Sequence, residues 1–538
     1  MKRVVAVGLV LLFSGALTGA ASLSPAERNP GTIPHVLRVA AGDISTLNPH
    51  LGVFADIANI SSLTMAYLVK WDSRNEPYPE LATAVPSMAN GGISKDGLTI
   101  TYHLRRGVRW SDGAPFSADD VIFSTNAVLD PANNEGHSGW DFITKIDEPD
   151  KYTVVYHLKK RFSPFVETFF STSGTAYCIL PKHLLSGYKS ISEAPYNQLP
   201  VGIGPFKYER WDREQDVVLV ANSLYFRGRP KLNSIIFKII PDRNTMLIQV
   251  QAHEIDLWYT VPGTYLTRLE ATPGVLVLQR PSYEWYHLDF NLTSPALQDV
   301  VVRRALRLAY DRATALHKIQ HDAGTLSESP TPPNSPYSVE EQLIPYDPSL
   351  ANSMLDKDGW KVGPDGVRTK NGVALNLRYA IYSGAPDVDD AIELLRQNWQ
   401  QIGVAITVKH YPLSMFFAMA KDGGIVYDQA KWDITSFAWK NDALGDYSGT
   451  YGCDFPPNGS DVTHWCNREA LAAMNAFPSH YDQRQRNADV KQFVEQFVED
   501  VPVIVVNQRV NVYALNSDVK RFDPNAITPF DNFMDVDI

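Results

Sequence analysis

Several residue groups have a spacing that could support chemistry. His317 and His321 stand four apart on a predicted helix, which would put two imidazoles on one face. Lys318, Ile319 and Gln320 between them supply no general base and no third ligand is evident, so no metal site is expected. Gly202-Ile203-Gly204 opens like a dinucleotide loop but continues as Pro205-Phe206-Lys207. Pro205 removes an amide donor where a phosphate would need one, so the segment reads as a turn. Neither GxxxxGK[ST] nor GxSxG occurs, which leaves nucleotide hydrolysis and α/β-hydrolase chemistry without their starting residues. The carboxylate pairs Asp119-Asp120 and Asp389-Asp390 could serve a glycosidase. They fall at predicted helix starts, however, where the helix dipole accounts for them. No catalytic residue, metal or cofactor is expected.

What remains is a set of aromatic residues and three cysteines. Trp258, Tyr259, Tyr265, Tyr283, Trp285, Tyr286, Phe437, Trp439, Tyr447 and Tyr451 fall near predicted element ends. About half should be core and the rest could line a cleft. Cys453 and Cys466 bracket a turn-rich stretch with a separation of 13, and a disulfide between them is expected in an oxidising compartment. Cys178, in an apolar stretch, reads as a buried free thiol.

The N-terminus supports that compartment. Lys2 and Arg3 precede an apolar run over residues 4 to 17, and Thr18, Gly19, Ala20 and Ala21 follow, the pattern of a secretory signal over residues 1–21. The run is shorter than the ~20 residues of a membrane span. No cysteine follows the small residues, so the expected product is periplasmic and free of a lipid anchor. The chain has 538 residues with 49 Lys+Arg against 60 Asp+Glu, a formal charge of -11 that makes nucleic acid a poor partner. That length calls for more than one core.

The elements that must position the aromatic residues alternate between strand and helix. Residues 98–104 and 152–158 read as paired strands of a small sheet, each followed by two basic residues, Arg105-Arg106 and Lys159-Lys160. Ser117 is a predicted N-cap for the helix between them. Asp299 caps a helix with Val302, Ala305, Leu306 and Ala309 on one face. Val388, Ile392, Leu395, Trp399 and Ile402 form another apolar face, closed by Gly403 and followed by a strand at 404–408, a βαβ rhythm. A third helical stripe, Val490, Phe493, Val494 and Phe497, precedes a short buried strand at 501–506, and the Pro-rich stretch 327–348 reads as irregular.

Specific motifs then run through nearly the whole chain. Thr46-Leu47-Asn48-Pro49, Ser94-Lys95-Asp96-Gly97-Leu98, and the stretch from Leu104 to Val121 containing Trp110-Ser111-Asp112-Gly113 resemble the extracellular solute-binding proteins of family 5, the peptide, oligopeptide and nickel receptors of ABC importers. Pro200 to Phe206, Tyr225-Phe226-Arg227-Gly228-Arg229-Pro230, Glu254-Ile255-Asp256, Val302-Arg303-Arg304-Ala305-Leu306 and Asp365-Gly366-Val367-Arg368 add to the resemblance.

The resemblance implies an α/β, two-lobed periplasmic binding protein (type II, cluster C-like) with an accessory subdomain in the first lobe. Lobe I is expected from 32–72, 201–290 and 506–538, the accessory subdomain from 73–200, and lobe II from 291–505. In peptide-binding members the Asp of a Trp-x-x-Asp stretch pairs with the ligand ammonium, and Trp439-Lys440-Asn441-Asp442 matches it. The expected ligand-binding set is Asp442, Trp439, Asn441, Tyr286, Tyr283, Trp258 and Tyr447. The disulfide loop with Trp465 looks most like the dipeptide-receptor branch, yet residues 379–388 lack the Arg that holds a ligand carboxylate there. The implied function is delivery of a peptide or other small solute by a monomer to an ABC permease with its ATPase subunits. An oligosaccharide or nickel-chelate ligand, or an exported glycosidase, is the alternative.

Overall fold

The computed structural model describes residues 28–42, 44, 46–51, 55–133, 139–172, 177–333, 335–384, 386–418, 420–441, 445–456 and 459–538. The expected signal segment, 1–21, lies outside them.

The repeated pattern of residues 98–104 and 152–158 forms the strands Thr99–His103 and Thr153–Leu158, antiparallel with Thr101 opposite Val155 and joined by Ile143–Asp150. The helix Ala118–Leu129 between them starts on a capping box: Ser117 accepts from the Asp119 amide and the Asp120 carboxylate accepts from the Ser117 amide at 3.1 Å. Capping thus accounts for one of the two carboxylate pairs. Trp110, Val121, Tyr156 and Phe165 form the core of this region.

Among the described residues, the largest sheet has 11 strands and runs through both halves of the molecule. Its order is Phe206–Asp212, Asp216–Ala221, Ser234–Ile239, Val36–Ala41, Leu257–Trp258, Val503–Asn516, Val275–Phe290, Ile434–Lys440, Asn376–Tyr382 and Ala405–Tyr411, with Gly324–Thr325 paired to Val503–Asn516 off this path. The two long strands in the middle, Val275–Phe290 and Val503–Asn516, are antiparallel partners shared by both halves. Residues 275–281 and 510–516 pair beside Leu257–Trp258, while residues 285–290 and 503–508 pair beside Ile434–Lys440. Between those two stretches the register breaks, from Pro281 to Trp285, and it shifts again just inside the second, from Tyr286 to His287. Bulges of this kind bend and twist a strand pair.

Each half has its own core. Leu37, Val39, Phe237, Leu257, Tyr513 and Phe530 belong to one; Leu288, Val302, Leu306, Trp399, Ile434 and Ile504 belong to the other. The expected βαβ unit is present: Asn376–Tyr382, the helix Pro386–Gln400, and Ala405–Tyr411, with the two strands parallel. Asp299 caps Val300–Leu308 by accepting from the Val301 amide at 3.0 Å. The short strand expected at 501–506 is instead the first part of Val503–Asn516. Its extension through Asn507, Gln508, Arg509 and Asn511 is polar, so apolar patterning stops where pairing does not.

Gly202-Ile203-Gly204 is a close crossing of two backbones. The Gly204 amide donates to Thr64 O at 2.9 Å, and a Cβ on Gly202 would stand 1.9 Å from the same oxygen. Only a residue without a side chain fits there.

Candidate ligand cleft

Where the register breaks, the two halves of the sheet diverge around a cavity of about 330 Å³. One wall comes from the helix Ala55–Thr64 through Asn59 and Ser62, and another from Tyr259 and Thr260, immediately beyond the carboxyl end of Leu257–Trp258. The floor is the broken stretch itself, Ser282, Tyr283 and Glu284, with Asn511 and Tyr513 of the partner strand. Lys440 and Asn441, at the carboxyl end of Ile434–Lys440, close the opposite side. Both halves thus present the ends of parallel strands to one crevice, the position where open α/β sheets take ligands. Lys440 and Asn441 also border a smaller cavity of about 120 Å³ walled by Trp285, Trp439, Tyr447 and Tyr451.

Of the residues expected from the sequence, Tyr283 and Asn441 line the larger cavity, and Trp439, Asn441 and Tyr447 line the smaller one. Asp442 lies outside the described residues. Trp258 and Tyr286 border neither. Trp258 is fully buried in the first half, its ring 5.6 Å from Tyr265, and the Tyr286 hydroxyl bonds Ser436 Oγ at 2.8 Å beside the second core.

Asn441 ties the wall together. Its amide donates to Tyr283 O at 2.8 Å, its Oδ1 accepts from Trp285 Nε1 at 3.1 Å, and its Nδ2 donates to Pro330 O at 2.7 Å and to the Tyr447 hydroxyl at 3.3 Å. With its side chain so committed, it holds Trp285 and Tyr447, two rings that line the smaller cavity, in place. Most of the polar lining is neutral, supplied by Asn59, Ser62, Thr172, Thr260, Ser282, Asn511 and Thr528. Glu284 and Lys440 face each other in register; Glu284 is engaged by Arg509 at 3.1 Å, and Lys440 has no ion pair among the described residues. Sequence reasoning missed these small polar residues. Tyr259, one aromatic among many in the sequence, is buried, donates to Asp56, and its hydroxyl is held well above the usual tyrosine range by burial.

Beneath the smaller cavity lies a buried polar group. His287 is sandwiched by Trp285 and Phe437, each with ring centroids 4.6 Å away, and stacks below Trp439 at 6.2 Å. Its Nδ1 stands 3.2 Å from Asp289 Oδ2, and both side chains are fully buried. Asp461, pushed up to about 7 by burial with Asp289 adding to the effect, accepts from the Thr463 hydroxyl at 2.7 Å. Asp461 is carried on the loop closed by the Cys453–Cys466 disulfide, whose Cα atoms are 4.8 Å apart. Cys178 is the buried free thiol expected of it.

Residues 76–461, more than half of the chain, match the model of the bacterial extracellular solute-binding proteins, family 5. Among known proteins, the oligopeptide-binding protein AppA of Bacillus subtilis is 24% identical over 454 residues, 82% of this chain and 80% of its own. The dipeptide-binding protein of Escherichia coli is 22% identical over 468 residues, 82% of this chain and 84% of its own. Among solved structures, AppA from Bacillus subtilis in complex with a nonapeptide superposes with a TM-score of 0.74 at 23% identity, covering 93% of this chain and 98% of that one. NikZ from Campylobacter jejuni in complex with Ni(L-His) gives 0.76 at 23% identity, covering 94% and 100%. The family's description is of proteins that bind solutes rather than of enzymes. With two halves on shared strands, a crevice at their junction and a family match across most of its length, the chain is a member of the bacterial extracellular solute-binding proteins, family 5.

Proposed function

We propose that this protein is the substrate-binding component of an ABC importer, which takes a peptide-like solute into the crevice between its halves and hands it intact to a membrane permease. The observation that carries the reading is the lining of the crevice: neutral hydroxyls and amides along the sheet, with an aromatic side pocket opening from them. A peptide backbone needs donors and acceptors without fixed charge, and its side chains need apolar walls. The peptide-binding character of AppA and of the Escherichia coli dipeptide-binding protein supports the same class. The protein acts as a monomer, without cofactor or catalysis, after export and removal of residues 1–21, and the permease with its ATPase is its partner. Among the described residues no helix is long and apolar enough to cross a membrane.

Asp442, directly after Asn441, takes the ligand ammonium in this reading, and Trp439, Asn441, Tyr283 and Tyr447 frame it. A charge-assisted bond of this kind contributes about 1.5–3 kcal/mol, so Asp442→Ala weakens binding of a free-amine peptide about tenfold or more. Calorimetry with a short peptide and its N-acetylated form tests this, once native mass spectrometry has shown which peptides of a defined mixture the protein retains. Equal affinity of the wild type for both forms would refute the amine anchor. Retention of no peptide at all would refute the ligand class.

A further inference from the structure

Away from the shared strands, a second contact joins segments that belong to different cores. Glu167 sits on the short helix Phe165–Thr168, whose Phe165 and Val166 pack with Trp110 and Tyr156. Arg486 sits on the helix Gln483–Asp500, whose Val490, Phe493 and Phe497 pack with Tyr447 and Trp465. The Arg486 guanidinium reaches Glu167 with two bonds, Nη2 to Oε2 at 2.9 Å and Nη1 to Oε1 at 3.2 Å, and the two side chains are only 6% and 19% exposed. Around this pair the Ser163 amide donates to Pro478 O at 2.7 Å and the Tyr481 hydroxyl donates to Gly97 O at 2.9 Å. Gly97 has a φ of +73°, and a Cβ there would come within 2.4 Å of the Tyr481 ring.

We propose that this contact is a latch that holds the two sides of the crevice together, with Glu167 and Arg486 as its clasp. The arginine half is preassembled: its guanidinium lies 4.6 Å from the ring centroids of both Tyr337 and Phe477, residues of its own side. Glu167 arrives from the other side, so opening separates carboxylate from guanidinium and lifts Tyr481 from the edge of the core it packs against, leaving the buried residues of both cores in place. The contact is made of a bidentate ion pair, hydrogen bonds from the Ser163 amide and hydroxyl and from Tyr481, and the Tyr481 ring laid against Gly97 and Arg161; its polar bonds are ones that water can replace when the sides part. It is also mechanically placed to act on the ligand. The helix carrying Arg486 stacks Phe493 against Tyr447 at 4.9 Å, and Tyr447 lines the smaller cavity. A few polar bonds far from the ligand then set how long the crevice stays shut, because a closed state is stabilised by whatever contacts it makes and the open state lacks.

This inference rests on the receptor reading for its purpose but is tested without a ligand. Small-angle scattering of the ligand-free protein compares the wild type with Glu167→Gln, Arg486→Met, the double variant and Tyr481→Phe, at low and high salt. The expected result is a larger radius of gyration for Glu167→Gln and Arg486→Met, corresponding to a closed-to-open ratio about tenfold lower. The double variant should be no more open than either single one, because both remove the same bond. Tyr481→Phe should shift the same way to a smaller extent, and high salt should move the wild type little, because so buried a pair is weakly screened, and the double variant not at all. A lowered Tm with an unchanged radius would mean that the pair merely glues the fold, and this overturns the latch; unchanged radius and Tm overturn it too. Failure to retain any peptide would defeat the receptor reading and leave the scattering result standing.

Discussion

Asp461 is the residue whose environment makes the clearest demand on solution behaviour. Its carboxyl is raised to about 7 by burial, against roughly 3.9 in an unfolded chain. The folded protein therefore holds a proton that the unfolded chain has released. Stability from this group is fully present below about pH 4 and is lost as pH rises through about 7. His287, Asp289 and the Tyr451 hydroxyl are the titratable groups around it, and neither carboxylate is paired with a lysine or arginine among the described residues. Asp531, pushed up to about 6 by burial, acts in the same direction, so the difference between wild type and variant is the informative quantity. We expect Asp461→Asn to flatten the decline of Tm between pH 5 and pH 8, with a gain on the order of a few kcal/mol at the alkaline end. An unaltered Tm profile would show that Asp461 is ionised in the folded state throughout. At this scale the sequence is only partly informative. The Trp439 to Asp442 motif points at the crevice through its resemblance, and Tyr283 and Tyr447 stand out by being aromatic. The same reasoning also selected Trp258 and Tyr286, which pack inward, because composition does not say which side of a strand faces a cavity. Ser62, Ser282, Asn511 and Thr528 carry no signal, since small polar residues occur at the edge of almost any element.

At the scale of elements, local rules were legible wherever caps and apolar spacing agree, as at Ser117, at Asp299 and along Pro386–Gln400. They gave out at Val503–Asn516, whose polar middle is held by Val275–Phe290 on one side and Gly324–Thr325 on the other rather than by its own pattern. Gly204 is an element-scale constraint that a motif search reads as chemistry. A Cβ there would stand 2.2 Å from Leu63 O, a backbone atom with nowhere to retreat. Overpacking of this type costs about 1–3 kcal/mol, so Gly204→Ala should lower the urea midpoint without altering the slope; an unchanged midpoint would mean that the crossing is loose. The loop from Cys453 to Cys466 is a second such constraint, because it carries Asp461 to the buried polar group and Trp465 into the aromatic cluster of Tyr451, Phe493 and Phe497. Its closure contributes about 3 kcal/mol in the loop-entropy model. Reduction should lower Tm and expose two alkylatable thiols while Cys178 stays protected, and intact mass after mild alkylation reads both outcomes.

For the whole molecule, the two halves meet at a strand pair whose register breaks where the crevice opens, the natural place for a bend. Removal of whatever solute co-purifies should raise the radius of gyration, and returning it should lower it again; an unchanged radius at saturation would speak against closure. The two-lobed class itself was legible through motifs spread along the chain, since the first half is assembled from separated stretches of the sequence. That interleaving reaches further than ligand capture. Val36–Ala41 finds its sheet neighbours in Ser234–Ile239 and Leu257–Trp258, and Leu257–Trp258 is held in turn by Val503–Asn516. Contacts this distant in sequence slow folding and postpone it. As the chain is synthesised from its N-terminus, the first half lacks a finished sheet until residue 516 has emerged, and the second lacks one until residue 508. A polypeptide that cannot condense early is well suited to threading through a narrow translocation channel, and a nascent chain interrupted before residue 503 would lose both halves together.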